Sequence, residues 1–494
     1  MNLSRREILI LLGIFLLGLI PRLWRLPYDL QVHRDQGMHA QAIWNIWYEG
    51  RISLLGHSTD ADGIWHGPLF YWLMTPSFFV GKGDPAVAGV FQAVLAQAGV
   101  FFLWLLARQL FGPKTALVSS LLYSISYGLS SSARWLSNVT PVLPLSLVFT
   151  WCLYQVFCRR PRFLPAAAFL ASLIAELHGA IGLYLYFALA VIFFLSHSFR
   201  HLNRRLIVIS ALAFLLPHSP LVLFELRHDF VISKSVIGLG QSASAGLGLS
   251  LPVIIYNWRI LFAELVNLAS FPYSWIAAML AALSLFLVII RRSPPYQFLL
   301  LYIGTFFLAT CLFRRGAIGF FFFPLLPLFL VLFSQGLALL PRLLSVPLLL
   351  FIIGLNFYHW TNFLTPHLAL TPVGTSNLIT HQDRKNLVDW LYHQTSGQAF
   401  AVWIYTIPYF QDDAWNYYFT WYAGSRYGYY PEATSGFSPG ELKTSRYFFN
   451  LYEPDDDQPG RLSSWLQLVE QNFGPVISQY RSDDAIVEQR AFVR

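Results

Sequence analysis

Asp35 is the residue of this sequence whose type and position best suit catalysis. It lies in the segment VHRDQGMHAQAIWNIWYEG, and the apolar residues after it recur at the i, i+3, i+4, i+7 spacing of one helix face: Ala40, Ile43, Trp44 and Trp47. That spacing predicts an amphipathic helix at a membrane surface, with the Asp35 carboxylate at its start. A carboxylate held there can accept the proton of an attacking hydroxyl group, as a general base does. The alternative is that Asp35 only caps the helix, since aspartate is a preferred N-cap residue.

Four other residues have side chains suited to holding a phosphate. His66 lies in GIWHGPLFYWLMTP, where the Gly-Pro bend predicts that the chain returns to the interface as a second short helix. Arg134 lies in SARWLSNVTP, and Arg227 and His228 lie in FELRHDF, each beside an apolar run. Guanidinium and imidazole groups bind phosphate oxygens. The ordinary alternatives are a hydrogen-bonding histidine and arginines that snorkel beside membrane spans.

The composition of the whole chain indicates a polytopic membrane protein. Of its 494 residues, 56% are hydrophobic and 12% are charged, with a mean hydropathy of +0.51, whereas a soluble domain carries about 25% charged residues. Disorder is excluded because it requires low hydrophobicity and high charge. The formal net charge of +8 fits arginine-rich cytoplasmic loops better than a nucleic-acid partner. Three cysteines in or beside apolar segments predict neither a disulfide framework nor a cysteine metal site.

Eleven apolar runs are predicted to span the bilayer, which takes about 20 residues each. They are 8–27, 86–106, 115–131, 139–157, 163–178, 179–197, 206–224, 273–290, 296–313, 317–337 and 343–361. The stretch 253–271 is also apolar but contains Asn257, Arg259 and Glu264, and it is predicted to be interfacial or re-entrant. Arginines at alternate ends of the spans place the N-terminus in the cytoplasm, and the odd span count places residues 362–494 outside. We therefore expect a multi-pass plasma (inner) membrane protein with a retained first helix.

Charge divides the chain near residue 361. Residues 1–361 hold 24 basic and 11 acidic residues, whereas residues 362–494 hold 9 and 14. The first part is predicted to be a transmembrane domain with a long first external loop, 28–85. The second is predicted to be an extracytoplasmic soluble α/β domain, with a helix at 381–393 and a buried strand at 399–405. The aromatic residues of 415–430 suit either a surface facing membrane or sugar, or packing against the membrane domain.

Acidic residues of the membrane part collect on one side. Nine of the eleven map to the predicted external side, and six of those nine lie in the loop 28–85. A transporter more often carries ionisable groups within its spans near the bilayer midplane. The distribution therefore favours chemistry at the outer interface over conduction.

Several of these features occur together in one enzyme superfamily. The chain resembles the GT-C superfamily, specifically the bacterial relatives of protein O-mannosyltransferases and aminoarabinose transferases (glycosyltransferase family 39/83-like). The resemblance rests on the retained first helix, the early acid in a long external loop, the Gly/Pro-x-x-Tyr-Trp turn, FELRHDF after a span, FFFPLLPLFL in a late span and the external C-terminal domain. It implies a GT-C fold of about eleven transmembrane helices.

The resemblance also implies an activity. Such enzymes take a hexose or pentose from a polyprenyl-phosphate carrier and transfer it to a hydroxyl acceptor, which is a lipid, a glycan or a protein, on the extracytoplasmic face. Asp35 matches the superfamily's essential aspartate and would be the general base of a single, inverting displacement. The arginines and histidines would stabilise the charge that develops on the leaving phosphate.

Three positions depart from the superfamily pattern. Gln36 stands where many members have a glutamate, and it is grouped with the substrate-binding residues. His66 stands where many have a lysine, so a phosphate contact there would depend on pH. Asn138 stands where a second acid is common, which makes a divalent metal cofactor doubtful.

Two other functions stay open at this point. A lipid-linked glycan polymerase or ligase uses similar carriers, but would concentrate arginines in a large late external loop. A non-catalytic glycolipid transporter or binding protein is the other alternative, and Gln36 and Asn138, which stand where acids are common, are the residues that favour a non-catalytic role.

Overall fold

The computed structural model describes residues 4–59, 61–241, 248–269, 286, 290–291, 293–314, 316–363, 379–436, 442, 446–482 and 485–491. Up to residue 363 the described chain is largely helical. Its helices are α1 (Arg5–Leu23), α2 (Leu26–Asp29), α3 (Arg34–Trp47), α4 (Leu69–Val80), α5 (Pro85–Phe111), α6 (Pro113–Ile125), α7 (Tyr127–Arg134), α8 (Val142–Phe157), α9 (Leu164–Leu177), α10 (Gly179–Leu195), α11 (Arg204–Leu215), α12 (Ser219–Arg227), α13 (Val231–Gln241), α14 (Leu251–Ala269), α15 (Pro294–Cys311), α16 (Leu326–Leu339) and α17 (Arg342–Phe363).

Local sequence sets where the helices begin and end. Ser4 and Glu7 form a capping box at the start of α1, in which each side chain accepts the other residue's backbone N–H. Asp84 caps α5, and its Oδ1 accepts the Ala86 N–H at 2.8 Å. Ser126 interrupts the predicted span 115–131, because it leaves helical geometry and its side chain caps α7.

Four helices of the described part are long and apolar enough to cross a membrane. By length and composition they are Arg5–Asp29, Pro85–Phe111, Leu251–Leu268 and Arg342–Thr361, with a fifth if α11 and α12, bent by 67°, form one broken span. Other predicted runs form shorter apolar helices, among them α8, α10 and α16. The count of eleven therefore stays a prediction, and the predicted span 273–290 lies almost entirely outside the described residues.

The prediction for 253–271 needs correction. Residues 253–269 of the segment lie in one continuous helix, α14, which contradicts a re-entrant turn within them; the interfacial alternative stays a prediction. Its polar residue Asn257 is buried: Nδ2 donates to the Thr310 carbonyl at 3.1 Å, and Oδ1 accepts the Ala317 N–H at 2.7 Å. A polar side chain inside an apolar helix is thus satisfied by neighbouring segments without breaking the helix.

Residues 379–491 form a five-stranded sheet with helices on both faces. The strands are β1 (Phe400–Tyr405), β2 (Glu432–Thr434), β3 (Tyr447–Tyr452), β4 (Val476–Arg481) and β5 (Ile486–Arg490), and the helices are α18 (His381–Thr395), α19 (Asp413–Tyr418), α20 (Gly424–Tyr427) and α21 (Pro459–Phe473). The sheet order is β2-β1-β3-β5-β4; β2, β1 and β3 are parallel, and β5 and β4 are antiparallel additions. The predicted helix at 381–393 and strand at 399–405 are confirmed.

Alternate residues of β1 pack against different helices. Trp403 and Tyr405 contact Trp465 of α21, whereas Phe400 contacts Tyr392 of α18. All six residues of β1 are buried, as expected for a central strand covered on both faces.

This C-terminal module is attached to the first loop. The His381 N–H donates to the Leu30 carbonyl at 2.7 Å, and the Trp421 Nε1–H donates to the Lys82 carbonyl at 2.9 Å. The Tyr417 hydroxyl donates to the Gly83 carbonyl, and its ring packs against Trp44. For this part of the aromatic segment 415–430, packing against the membrane domain is confirmed. The module and the loop 28–85 consequently lie on the same side of the molecule.

Candidate active site

The candidate site is built around the first turn of α3. His33 is the N-cap residue, and its backbone N–H donates to Gln36 Oε1 at 3.1 Å. Asp35 is therefore not the cap: it occupies the second helical position, and its side chain is exposed. Within the described chain its carboxylate has neither a hydrogen bond nor an ion pair. An unpaired carboxylate at a fixed helix start can accept a proton from a bound hydroxyl group.

The side chains of Gln36 and Asn138 are buried and donate hydrogen bonds to backbone carbonyls. Gln36 is 2% exposed, and its Nε2 donates to the Leu136 carbonyl at 3.2 Å. Asn138 is also buried, and its Nδ2 donates to the Leu177 carbonyl. The Gln36 amide thus bonds to backbone groups on both its oxygen and its nitrogen, and the predicted contact of Gln36 with the substrate stays a prediction.

His66 lies in a row of four histidine rings. Ring centroids are 4.9 Å apart for His39 and His57, 4.5 Å for His57 and His66, and 4.7 Å for His66 and His178. His39 belongs to α3, and His178 lies at the junction of α9 and α10. His57 and His66 lie in a short hairpin-like loop that is closed by backbone hydrogen bonding between residues 57 and 66. His39 lies one turn after Asp35 on the same helix, which is a sequence signal that could have identified it. No local pattern announces His57 or His178.

The His66 ring is neutral near pH 7. Burial, and then the neighbouring rings of His178, His57 and His39, lower its pKa well below 6.5. Its Nδ1 accepts the Gly179 N–H at 3.2 Å, so the proton of the neutral ring is on Nε2. This corrects the expectation of a phosphate contact that changes with pH near 6.5, because the ring does not titrate there.

The buried carboxylate of Glu176 lies at the His178 end of the histidine row. Glu176 Oε1 lies 2.6 Å from His218 Nδ1, and His218 Nε2 lies 2.7 Å from the Tyr186 hydroxyl. Glu176 packs so closely against Gly67 that a Cβ at that position would lie 1.7 Å from Oε2. The glycine of His66-Gly67-Pro68 is thus required by the approach of this carboxylate.

Tyr71 of α4 connects Asp35 with the histidine row. Its ring lies 5.7 Å from that of His39. Burial raises the pKa of the Tyr71 hydroxyl, and the negative charge of Asp35 raises it further. A series of neighbouring side chains, Tyr71, His39 and His57, thus leads from Asp35 to His66.

Arg134 bonds to the C-terminal end of α1. Its guanidinium donates to the carbonyls of Pro21 at 3.2 Å, Arg22 at 3.4 Å and Trp24 at 2.7 Å, and it lies 4.0 Å from the Asp29 carboxylate. Basic groups commonly bond the free carbonyls at a helix C-terminus. These bonds occupy much of the guanidinium, and the residue is 8% exposed, so a role of Arg134 in phosphate binding stays a prediction.

Arg227 and His228 end α12 beside the loop of His66. The His228 ring stacks on Phe224 at 4.0 Å, and Trp65 packs near the same Phe224 with centroids 6.3 Å apart. Arg227 is exposed and, in the described part of the chain, has no hydrogen bond or ion pair. The structure thus brings the FELRHDF segment against the loop that carries His66.

The C-terminal module contributes an acid next to Asp35. Asp413, at the start of α19, lies 3.8 Å from Arg34. Burial raises the pKa of Asp413; Arg34 opposes the rise, whereas Asp412 and Asp35 add to it. Gly37 of α3 permits this approach, since a Cβ there would lie 2.4 Å from the Ala414 backbone nitrogen. Among the described residues, no three His, Cys, Asp or Glu side chains are grouped to hold a metal ion.

Acidification is expected to weaken the contact between the module and the first loop through His381. The Tyr418 hydroxyl lies 2.5 Å from His381 Nδ1, and His381 Nε2 lies 3.3 Å from Asp84. Burial and Lys385 lower the pKa of His381 from 6.5 to about 3. Below pH 6.5 the unfolded chain binds a proton that the folded one excludes, so the free energy of unfolding falls with pH down to about 3.

The measurement is the decrease in Tm of the full chain between about pH 7.5 and about pH 5, which lies on either side of the ordinary histidine pKa. His381→Gln cannot titrate, so its decrease should be smaller than that of the parent, whatever its Tm at the higher pH. An equal decrease in both proteins would contradict the role of His381.

Comparison with solved structures defines the class of this fold. The chain matches the structure of ArnT from Cupriavidus metallidurans bound to undecaprenyl phosphate over 99% of its length and 98% of that chain, with a TM-score of 0.63 and 12% identity. The apo form of ArnT also gives a TM-score of 0.63 at 12% identity, over 98% of this chain and 97% of that one. This likeness shows that the chain shares the fold of ArnT, in agreement with the resemblance predicted from the sequence.

Two sequence comparisons show further similarities to known proteins. Residues 65–224 match the family model described as dolichyl-phosphate-mannose-protein mannosyltransferase. A protein of Aquifex aeolicus (strain VF5), described as uncharacterized, is 28% identical over 168 residues, which are 33% of this chain. The chain thus matches 34% of the length of that relative. The family match runs from Trp65 to Phe224, the two residues that join the His66 loop to α12.

Proposed function

We propose that this protein is an inverting membrane glycosyltransferase that moves a sugar from a polyprenyl-phosphate carrier to a hydroxyl acceptor. The observation that carries the proposal is the exposed, unpaired carboxylate of Asp35 at the start of α3. The shared fold with a protein crystallised with undecaprenyl phosphate supports the carrier class. The match to a dolichyl-phosphate-mannose family supports the same class independently.

In the proposed reaction Asp35 accepts the proton of the acceptor hydroxyl. The acceptor oxygen forms its bond to the anomeric carbon while the bond between that carbon and the phosphate oxygen breaks. The bonding electron pair leaves with the carrier phosphate, which is acidic enough to depart without protonation. One displacement inverts the anomeric configuration. One base is sufficient, so the amide at Asn138 does not prevent the reaction.

Three groups in or near the His66 loop suit the leaving phosphate. Arg227 is exposed and unpaired within the described chain, so its guanidinium is available for a bidentate bond to phosphate oxygens. His66 is neutral with its proton on Nε2, so it would act as a hydrogen-bond donor without carrying charge. His228 is stacked on Phe224 with Nδ1 2.9 Å from the Phe224 carbonyl, which leaves Nε2 as its contact atom.

The reaction is proposed to occur on the extracytoplasmic face of the plasma (inner) membrane. The contacts of the C-terminal module with the first loop support a shared side for Asp35 and residues 379–491. Arginine-rich loops at the opposite helix ends support a cytoplasmic N-terminus.

The test is reconstitution of the full chain in proteoliposomes with synthetic polyprenyl-phosphate hexoses and pentoses. Lipid, glycan and serine-containing peptide acceptors are offered together, and water serves as the background acceptor. We expect transfer from at least one lipid donor and none from nucleotide sugars, with an inverted anomeric centre by NMR. Transfer from nucleotide sugars alone would contradict the carrier class. A retained configuration would contradict the single displacement, and inactivity with every lipid donor would contradict the enzyme class.

A further inference from the structure

A basic pocket lies at the opposite end of the helices from the histidine row. α9 and α10 meet at His178, so the far ends of α9 and α10 and of the adjacent α8 lead into two loops, 158–163 and 196–203. The loops are tied together, since Ser198 Oγ donates to the Val156 carbonyl at 2.6 Å. Together with the start of α11 they line an open cavity of about 440 Å³, whose basic side chains are Arg160, Arg162, His201 and Arg205.

Among the described residues, no acid forms an ion pair with the arginines of this pocket. Arg160 donates to the neutral Gln155 Oε1 at 2.9 Å, and Arg162 lies 5.1 Å from the Phe163 ring. Arg205 has no ion pair with any described residue. By contrast, Arg108, at the corresponding end of α5, pairs with Glu7 at 3.0 Å. Several uncompensated guanidinium groups around one cavity favour an anion with more than one charged or polar oxygen.

The pocket opens onto an apolar helix face. Leu206 and Ile209 of α11 form part of its wall. On the side of α11 that carries Arg205, Ile209 is 41% and Leu212 is 62% exposed, at the i+4 and i+7 positions. A soluble anion would contact only the arginines, whereas a phosphate that carries acyl chains would also cover this apolar face. Basic pockets at the ends of membrane helices are suited to phospholipid headgroups.

We propose that this pocket binds the phosphate of an anionic phospholipid, with the acyl chains along α11. Arg160, Arg162 and Arg205 hold the phosphate oxygens, and Leu206 and Ile209 contact the first methylene groups. The site is separate from the Asp35 region and does not depend on the proposed transfer activity.

The experiment is lipid binding by the purified full chain in detergent, measured by native mass spectrometry and by the shift in Tm. The probes are phosphatidylglycerol, phosphatidylcholine and inorganic phosphate, each alone. The test variant carries Arg160→Gln, Arg162→Gln and Arg205→Gln. The matched control carries Arg5→Gln, Arg6→Gln and Arg342→Gln, which removes the same charge from exposed arginines outside the pocket.

We expect phosphatidylglycerol to bind the parent and the control alike, and to bind the test variant at least about tenfold more weakly, because each arginine near an anionic lipid contributes measurably. The three proteins should have similar Tm values without lipid, which shows that the variants fold. Equal loss in the control would mean diffuse charge attraction and would overturn the proposal. Undiminished binding by the test variant would do the same, as would equal stabilisation by phosphatidylcholine or by inorganic phosphate.

Discussion

Replacement of Asp35 by asparagine is expected to lower kcat for sugar transfer by about 10³-fold, the middle of the range for general-base catalysis. Asparagine keeps the size and the helix position of the side chain but cannot accept the proton of the acceptor hydroxyl. The side chain is exposed and makes no described hydrogen bond, so the change should leave folding intact. The measurement is single-turnover transfer from the polyprenyl-phosphate donor, together with donor binding, which should change little.

Asp62 provides the matched control for this prediction. It lies in the same loop, 28–85, and is likewise exposed, and Asp62→Asn makes the same chemical change. If Asp62→Asn keeps the parent kcat while Asp35→Asn loses most of it, the loss is due to the position of Asp35 and not to the charge of the loop. Full activity in Asp35→Asn would refute the role of Asp35 as the general base. Equal losses in both variants would indicate that the loop's total charge, and not proton acceptance, limits the rate.

The helix that carries Asp35 could be predicted from local pattern. Ala40, Ile43 and Trp44, which share the predicted apolar face, are all buried. The helix begins at Arg34, one residue before the predicted start. The sequence alone could not exclude Asp35 as the helix cap, because a capping role and a catalytic role both place an acid in the first turn. The cap turned out to be the residue two positions earlier, His33.

The surroundings of Asp35 could not be predicted in the same way. The histidine row joins residues 39, 57, 66 and 178, and no periodicity connects positions so distant in the chain. Arg134 illustrates the reverse case, since its type suggested phosphate but its partners are carbonyls more than 100 residues earlier. Side-chain chemistry gives candidates, whereas tertiary contacts decide which of them still have free donors.

The C-terminal module has a direct structural connection to the candidate base. Its helix α19 packs on α3, with Ala414 directly against Gly37 and Asp413 beside Arg34. Both contacts flank Asp35 along the helix. We therefore expect the module to position the Asp35 carboxylate relative to Tyr71 and the histidine row, so that a small displacement of α19 alters the reaction before it alters the fold.

Gly37→Ala is expected to show this by lowering the transfer rate on the order of 10²-fold, the cost of an approximately 1 Å misplacement of a catalytic group. The new Cβ would lie 2.4 Å from the Ala414 nitrogen and 2.5 Å from its Cα, so backbone must move. Gly13→Ala is the control, because Gly13 is also helical and has no atom within 4 Å of the added Cβ. There alanine should stabilise the helix slightly, by up to about 1 kcal/mol, and leave kcat unchanged.

Two measurements separate displacement from unfolding. Thermal unfolding of Gly37→Ala should show a modest decrease in Tm, as overpacking costs about 1 to 3 kcal/mol, and protease resistance of residues 379–491 should persist. A rate loss with a folded module supports positioning of Asp35 by α19, because the substitution removes no group that could touch the substrate. Parent-like activity in Gly37→Ala would show that α19 can shift without moving Asp35. Loss of the folded module would mean that the Gly37 contact is needed for folding, and that Asp35 depends on the module only through stability.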